Sequence, residues 1–352
     1  MTEAEKRYGE KKRAARHQRA LELGLNPKTG KPYAQDKMQW QREYRAKKRG
    51  ETTPLKHKGF TVHQPPSEEP TAEEIIADKI KTYDRKKENY EAKRLIQIDI
   101  DSDKPVGIVI MGDPHLDDPG CAIKELMEHM RLVNETPGMY CACVGDMANH
   151  WVGRLQRLWA KQNTTAKEAW ILIKWFFDEL QDRLLFVIGG NHDAFAAQDG
   201  DLLEWIAGST ETMYSMHFCR VQLNFPNGKN VVVNSRHDFP GHSQWNANHG
   251  PMKAAQLGGF VDDVYVAGHQ HTSAYSFVKS PVGKLMHCIR VASYKEIDEF
   301  PIERGFRDQR VGGACCIVID PNAEDPAELI TVWCSPRKAA EHLTFIRSRV
   351  TK

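Results

Sequence analysis

The sequence predicts an α/β protein in which two packed β-sheets are flanked by helices, with a basic helical extension at the N-terminal side. Helical patterns dominate the early part of the chain, and short apolar runs typical of strands dominate the later part. The chain has 352 residues and is 40% hydrophobic, which suffices for a sizeable core. Polar clusters follow several apolar runs, and the chemistry is expected there.

Residues 1–50 are predicted to form a basic helical arm. Residues 1–60 hold 17 Lys/Arg against 7 Asp/Glu, a local charge of 17 − 7 = +10, whereas the whole chain carries +2. Helices are expected over 3–23 and 34–49, and Trp40 and Tyr44 lie between the cations of the second. Such an arm is typical of a segment that meets a polyanion, so nucleic acid is the predicted partner. A solvated helical face without a partner is the alternative.

Residues 51–70 are predicted to be a linker because Thr, Pro and Ser dominate their composition. Thr71 and Glu74 then form a capping box for a helix with one apolar side. We expect 71–104 to hold this helix, packed on the main domain, and a first strand. The main domain is expected over 105–345.

The strand pattern begins where Ile96, Ile98 and Ile100 alternate with polar residues, followed by a continuous apolar run over 106–111. We expect these two segments to be the first strand pair. A hairpin turn is expected at 226–228, where the sequence is Pro-Asn-Gly. Further strands are expected at 139–144, 184–189, 218–225, 230–235, 263–267, 273–279, 284–291, 313–319 and 328–334, with helices near 120–134, 164–181 and 201–207.

No run approaches the roughly 20 apolar residues that a membrane-spanning helix needs, and the first thirty residues are charged. A cytoplasmic protein without membrane attachment is therefore expected. The eight cysteines lack the paired C-x-x-C spacing of a zinc site. Those in apolar segments are expected to be buried in a reducing compartment: Cys141, Cys143, Cys219, Cys288, Cys315, Cys316 and Cys334.

Five polar clusters stand where strand runs end, and together they supply the carboxylate, amide and imidazole ligands that two divalent ions need. Each cluster alone is a weak signal, whereas all of them in one order are a strong one. The glycines before Asp113, Asp146, Asn191 and His269 fit tight exits that a side chain would hinder. The clusters are Gly112-Asp113-Pro114-His115, Gly145-Asp146-Met147-Ala148-Asn149, Gly190-Asn191-His192-Asp193, Arg236-His237-Asp238 and Gly268-His269-Gln270-His271.

This series, D-x-H, G-D-x-x-N, G-N-H-D, H and G-H-x-H, resembles the signature of the calcineurin-like metallophosphoesterase superfamily over roughly residues 105–280. The resemblance implies the two-sheet sandwich fold and two divalent ions, with Mn²⁺ first and Fe or Zn²⁺ as the other candidates. It implies that one ion is held by Asp113, His115, Asp146 and His271, and the other by Asp146, Asn191, His237 and His269. His242 is an alternative to His237, because the family usually shows His-Gly at that motif.

The resemblance also implies roles in catalysis. Asp146 would bridge the ions, which lower the pKa of a water held between them toward ~7. His192 would lie beside the leaving-group oxygen and donate a proton, and Asp193 would orient His192. Residues that follow ligand motifs on the same predicted edge are candidates for substrate contact, with a solvated loop position as the alternative for each: Asn149, His150, His242 and Asn246.

The resemblance leaves the substrate open, since the superfamily acts on many phosphoesters. The pattern at Asn149, His150 and Asp193 departs from that of phosphoprotein phosphatases, and His192 departs from that of lipid-precursor pyrophosphatases. G-N-H-D is shared with DNA-repair exonucleases and cyclic-nucleotide phosphodiesterases, and the basic arm favours DNA or RNA as substrate. A small-molecule phosphodiesterase or phosphatase and a non-catalytic nucleic-acid-binding scaffold stay open. The chain also resembles bacteriophage-encoded phosphoesterases, which implies the host cytoplasm.

Overall fold

The computed structural model describes residues 17–18, 55–62, 69–92, 94–197, 200–297, 305 and 310–350. The predicted basic arm therefore lies outside the described residues, apart from two helical positions, 17 and 18. The chain divides into two compact units, Met1–Asp84 and Arg85–Lys352.

A short hairpin lies in the first unit, within the range predicted to be a linker: strand β1 (Leu55–His57) pairs antiparallel with β2 (Phe60–Val62). Helix α1 (Ala72–Ala92) follows. The predicted capping box is confirmed, because Thr71 N donates to Glu74 Oε2 at 2.9 Å and Glu74 N to Thr71 Oγ1 at 3.3 Å. None of the helix residues is buried, and its packing on the main domain stays a prediction.

Two six-stranded sheets form the framework of the second unit, which confirms the predicted two-sheet α/β sandwich. The strands are β3 (Ile96–Asp99), β4 (Val106–Met111), β5 (Met139–Cys143), β6 (Leu184–Gly189), β7 (Met213–Met216), β8 (Phe218–Asn224), β9 (Asn230–Arg236), β10 (Val264–Ala267), β11 (Ala274–Lys279), β12 (Leu285–Arg290), β13 (Ala314–Ile319) and β14 (Ile330–Trp333). One sheet has the order β14-β13-β4-β5-β6-β7, and the other has the order β11-β12-β10-β9-β8-β3.

Helices cover the outer faces of the sheets. Helix α3 begins with a capping box, in which Thr165 N donates to Glu168 Oε2 at 2.8 Å. The helices are α2 (Ile123–Glu135), α3 (Ala166–Leu180), α4 (Asn191–Ala196), α5 (Leu202–Ser209), α6 (His249–Leu257) and α7 (Pro336–Arg349), and a 3₁₀ helix spans Gly153–Lys161. No helix of the described ranges combines the length and the apolarity needed to cross a membrane.

The core has two main layers, one on each face of the central strand β4, which is buried on both sides. Val109 and Met111 pack in a cluster with α2, α3, α5 and α7, whereas Val106, Ile108 and Ile110 pack in a second cluster between the two sheets. The alternation follows from the strand period of two, so a continuous apolar run predicts a central strand. A third, smaller cluster lies under α6 and contains Tyr265 and Met286.

The prediction that residues 96–100 and 106–111 form a strand pair is wrong. Strand β3 pairs in parallel with β8 at the edge of one sheet, and β4 lies between β5 and β13 in the other. The burial of β3 alternates, which suits an edge strand with one exposed face. The all-buried β4 needs partners on both sides, and its short connection to β3 therefore crosses between the sheets.

The hairpin turn at 226–228 is confirmed. Strands β8 and β9 pair antiparallel up to Asn224 and Asn230, and Gly228 has a φ of 83°. The burial prediction for cysteines is correct except for Cys334, which is exposed because it follows the partly exposed edge strand β14. The other cysteines named above are buried, and all eight are free thiols.

Candidate metal centre

The predicted clusters converge because they follow strands whose carboxyl ends meet. Strands β4, β5 and β6 are parallel neighbours in one sheet, and β9 and β10 are parallel neighbours in the other. The first three strands lead to Asp113, Asp146 and Asn191, and the last two lead to His237 and His269. The site therefore lies at one end of the sandwich and takes residues from both sheets.

His237 connects the two halves. Its Nε2 lies 3.2 Å from Asp146 Oδ2 and 2.9 Å from Asn191 Oδ1. Its Nδ1 donates to the carbonyl oxygen of Val144 at 2.9 Å. Because a carbonyl oxygen only accepts, this contact fixes a hydrogen on Nδ1 and turns Nε2 toward the acidic side chains. His269 Nδ1 lies 3.2 Å from the same Nε2.

Two groups of side chains place their ligand atoms within 4.8 Å of one another, and Asp146 belongs to both. One group is Asp146, His237 and His269, three of the four residues implied for one ion. The other group is His115, Asp146 and His192, so His192 lies closer to this set than its predicted role as a proton donor requires.

The remaining predicted ligands lie beside the second group. His271 Nε2 is 3.4 Å from Asp113 Oδ2, and the rings of His271 and His115 have centroids 5.2 Å apart. The structure thus brings together all seven residues predicted to hold metal: Asp113, His115, Asp146, Asn191, His237, His269 and His271. His242 is exposed, and its contact is with Gln270 Nε2 at 2.8 Å, so His237 and not its alternative lies beside Asp146.

The loops that carry these side chains have an unusual backbone. Asp146 has a φ of 52°, a left-handed conformation that is uncommon for residues other than glycine. Four histidines of the site loops share it, with φ between 41° and 67°: His115, His150, His269 and His271. Such conformations persist only where the surrounding structure holds them, and they concentrate at functional sites.

Glycine is needed before two of the ligand motifs because a side chain there would collide with a carboxylate of the site. A Cβ atom on Gly190 would lie 2.0 Å from Asp146 Oδ1, and one on Gly268 would lie 2.5 Å from Asp113 Oδ1. Both glycines therefore give the carboxylates the space that they occupy.

The residues fit a two-ion centre. Asp113 Oδ1 and both ring nitrogens of His115 are buried and make no hydrogen bond to any described residue. Unpartnered buried polar atoms are costly, and a bound cation would satisfy the carboxylate oxygen and one of the two ring nitrogens. Carboxylate, amide and imidazole donors together suit Mn²⁺, Fe or Zn²⁺ better than Ca²⁺.

The pKa values follow from burial and from close charge. Burial opposes a charge on His237, but the carboxylates of Asp146 and Asp113 outweigh it and raise the pKa of His237 to about 10. Burial alone would raise the pKa of Asp146, yet His237 and the other nearby histidines hold it well below its usual value. Burial and the neighbouring His192 lower the pKa of His115 well below 6.5, so its ring is neutral as a metal ligand must be.

The structure places Asp193 differently from its predicted role. Its carboxylate accepts from Gly190 N at 2.8 Å and from Met147 N at 3.1 Å, so it fixes two site loops and makes no hydrogen bond to the ring of His192. Burial and the nearby Asp146 raise the pKa of Asp193 to about 7. The ring of His192 is held instead by the backbone oxygen of Asn149, which accepts from Nδ1.

The predicted substrate contacts fall into two kinds. Asn149 and His150 are buried: Asn149 Nδ2 donates to Asp118 Oδ2 at 2.9 Å, and the His150 ring lies 4.8 Å from that of Trp170. His242 and Asn246 lie in the loop between β9 and α6, where Asn246 Oδ1 accepts from Asn248 N at 2.9 Å. Asn149 is therefore a buried structural residue of the site, and His242 is the accessible candidate for substrate contact.

The predictions from sequence missed Asp117, Asp118 and Lys295, which lie around Asn149, and Arg290, which contacts the loops after β9 and β10. Asp117 and Asp118 continue the loop of the D-x-H motif, so proximity in sequence could have indicated them. Arg290 and Lys295 come after the last predicted motif in the sequence, and no motif beside them indicates a place at the site. Arg290 donates to Gly268 O at 2.7 Å and to Ala247 O at 2.8 Å, which ties the β9 and β10 loops together.

No protein-family model matches the chain, and no curated protein matches it by sequence. Solved structures do match. The NAD nucleotidase of Haemophilus influenzae is 9% identical, with 65% of this chain and 49% of that chain covered and a TM-score of 0.32. This chain therefore spans about half the length of that protein. The calcineurin-like phosphoesterase YfkN of Bacillus subtilis is 11% identical, with 70% of this chain and 97% of that chain covered and a TM-score of 0.34. The motifs of this chain resemble those of the calcineurin-like phosphoesterases, and a structure of that description is among those to which the chain is similar.

Proposed function

We propose that this chain is a two-metal phosphoesterase that hydrolyses a phosphodiester bond in DNA or RNA. The observation that carries the proposal is the position of Asp146, a buried carboxylate shared by two groups of histidine ligands. A shared carboxylate between two cation sites is the arrangement that two-metal phosphoryl transfer needs.

Two bound divalent ions would supply a Lewis acid and a nucleophile at neutral pH. The residues of the chain supply the rest. Hydrolysis adds one water across the P–O bond, so the departing oxygen must gain a proton. The Nδ1 hydrogen of His192 is committed to the Asn149 carbonyl, which leaves Nε2 free to carry that proton.

Two features support a nucleic-acid substrate. The N-terminal sequence has a charge of 17 − 7 = +10 over residues 1–60, which suits phosphate contact. Near the site, Trp245 in the β9–α6 loop is 95% exposed, and the loop that carries it contacts Gln270 between the two ligands of the last motif. An exposed indole on a loop that contacts the last motif suits stacking on a base.

The test is cleavage of end-labelled single- and double-stranded DNA and RNA by the full chain, with added Mn²⁺ or with chelator. We expect cutting that requires metal and is lost in Asp146→Asn, whereas Asp182→Asn, at an exposed turn, cuts like the wild type. Hydrolysis of a cyclic nucleotide or of a 4-nitrophenyl phosphodiester without nucleic-acid cutting would keep the phosphoesterase and reject the polymer substrate. Binding of nucleic acid with no hydrolysis of any phosphoester would instead identify a scaffold.

A further inference from the structure

We propose that Lys295 and Asp118 are positioning residues that hold the proton donor His192 in place through Asn149. The inference rests on the proposed function, because it concerns the residue that protonates the leaving group. The three supporting residues, Lys295, Asp118 and Asn149, are not among the predicted metal ligands. Each is connected to His192 by contacts within the described residues.

The first step is the contact of His192 itself. Its Nδ1 donates to the backbone oxygen of Asn149, and its ring lies edge-on to Trp151 with centroids 5.2 Å apart. The ring orientation, and therefore the direction of Nε2, is set by this carbonyl and by the indole. A displacement of either would misplace the proton that the leaving oxygen needs.

The second step is what holds Asn149. Its side-chain Nδ2 donates to Asp118 Oδ2 at 2.9 Å, and its backbone N donates to Asp117 Oδ1 at 2.8 Å. The following residue, His150, has a φ of 41°. The carbonyl of Asn149 is thus held in an uncommon turn by two carboxylates on the loop that follows the D-x-H motif.

The third step is the cation behind them. Lys295 Nζ lies 2.9 Å from Asp118 Oδ2, in an ion pair whose side chains are 8% and 10% exposed. The same ammonium lies 5.0 Å from the centroid of the Trp151 ring. Lys295 therefore contacts both groups that set the position of His192: directly for the indole, and through Asp118 and Asn149 for the carbonyl.

The position of Lys295 is itself fixed. Its backbone N donates to Ser293 Oγ at 2.9 Å, and Ser293 Oγ donates to the backbone oxygen of Asp113 at 2.6 Å. Cys121 and Lys295 form an isolated β-bridge. Lys295 is therefore anchored, through Ser293, to the backbone of Asp113, the first predicted metal ligand.

The experiment compares two diesters of thymidine that share a nucleoside and differ in leaving group. In the 4-nitrophenyl diester the leaving oxygen needs no proton, whereas in thymidylyl-thymidine it does. In Lys295→Met we expect kcat for the dinucleotide to fall by about 10- to 100-fold with KM nearly unchanged. For the nitrophenyl ester we expect a fall of no more than about 3-fold, and metal content equal to the wild type.

A double variant separates positioning from general damage. If Lys295 acts through His192, then His192→Ala with Lys295→Met is no slower on the dinucleotide than His192→Ala alone. Lys284→Met is the matched control, since Lys284 also pairs with an aspartate, Asp263, at 2.8 Å. It should leave the ratio between the two substrates unchanged. Asp118→Asn, which keeps the shape of the side chain, should shift that ratio in the same direction as Lys295→Met.

Three outcomes would overturn the inference. Additive losses in the double variant would show that Lys295 does not act through His192. Equal losses on both substrates in Lys295→Met and Asp118→Asn would show a merely structural role. No hydrolysis of either diester by a wild type that also fails to cut DNA and RNA would overturn the proposed function, and this inference with it.

Discussion

His237 Nε2 lies 3.2 Å from Asp146 Oδ2, although the two residues follow strands of different sheets. The shared carboxylate comes from β5 in one sheet, and the imidazole comes from β9 in the other. The predicted ligand set is therefore complete only when the two sheets are packed against each other. Metal binding and the stability of the domain should both depend on this relationship.

A methyl group at Gly190 should weaken metal binding. In Gly190→Ala, the new Cβ would lie 2.0 Å from Asp146 Oδ1, so the carboxylate must move. We expect a loss of at least one bound metal per chain and a fall in activity of about 100-fold or more, measured by elemental analysis and diester hydrolysis. The control is Gly208→Ala in helix α5, where nothing lies within 4 Å of the added Cβ. That variant should keep its metal and gain about 0.4–1 kcal/mol of stability.

Metal binding should release protons. The pKa of His237 is raised to about 10 without metal, so His237 is protonated at pH 7 and must lose that proton to act as a ligand. The apparent affinity for Mn²⁺ should therefore increase from pH 6 toward pH 9. Calorimetric titration in two buffers of different ionisation enthalpy measures the protons released. Equal heats in both buffers would contradict the assignment.

The same protonation gives the metal-free protein a pH-dependent stability. His237 has a folded-state pKa above its unfolded value of 6.5, so its contribution is fully present below that value and is lost as the pH rises toward 10. We expect the unfolding temperature of the metal-free chain to fall between pH 7 and pH 10. In His237→Gln this part of the decrease should be missing.

The core between the sheets should control metal affinity as well as stability. Phe186 is buried between the two sheets, and Phe176 is equally buried between helix and sheet. Each Phe→Ala change should cost about 3–5 kcal/mol in the free energy of unfolding, measured by denaturant titration. Only Phe186→Ala should also weaken Mn²⁺ binding, because it loosens the packing that places His237 beside Asp146. Equal metal affinities in the two variants would contradict this role.

The basic arm should determine the salt dependence of nucleic-acid binding. Replacing Lys47, Lys48 and Arg49 by Gln should reduce the slope of log K against log salt by about 0.9 for each phosphate of duplex DNA that is no longer neutralised. Removing the same charge from α7, at Arg337, Lys338 and Arg349, is the control and should leave the slope unchanged. Fluorescence anisotropy at several salt concentrations gives both slopes, and equal slopes in the two triple variants would assign the arm another role.

The sequence predicted that the candidate metal ligands would lie together, because the signal is local to each motif. A polar cluster after an apolar run marks the end of a strand, and parallel neighbouring strands end at the same edge. The meeting of Asp113, Asp146 and His269 was implied by the family resemblance that the order of the motifs carries. The alternation at β3 and the continuous run at β4 also predicted both strands, although not their partners.

What the sequence could not predict depends on contacts between distant segments. Pairing of β3 with β8 is not encoded in either strand alone, and a short connection wrongly suggested pairing of β3 with β4. Lys295 is 177 residues from Asp118 (295 − 118), so nothing in its neighbourhood indicated a place beside the site. The hydrogen bond that holds His192 goes to a backbone oxygen, for which any residue type would serve.

The origin of the ligands from both sheets also bears on the order of folding. His237 and Val144, which are joined by a hydrogen bond at the site, are 93 positions apart in the chain. A nascent chain that ends after β7 lacks His237, His269 and His271, and so offers an ion only part of the predicted ligand set. Because contacts of long sequence separation form late, tight binding of the metal should report the final assembly of the domain and should slow its unfolding more than it speeds its folding.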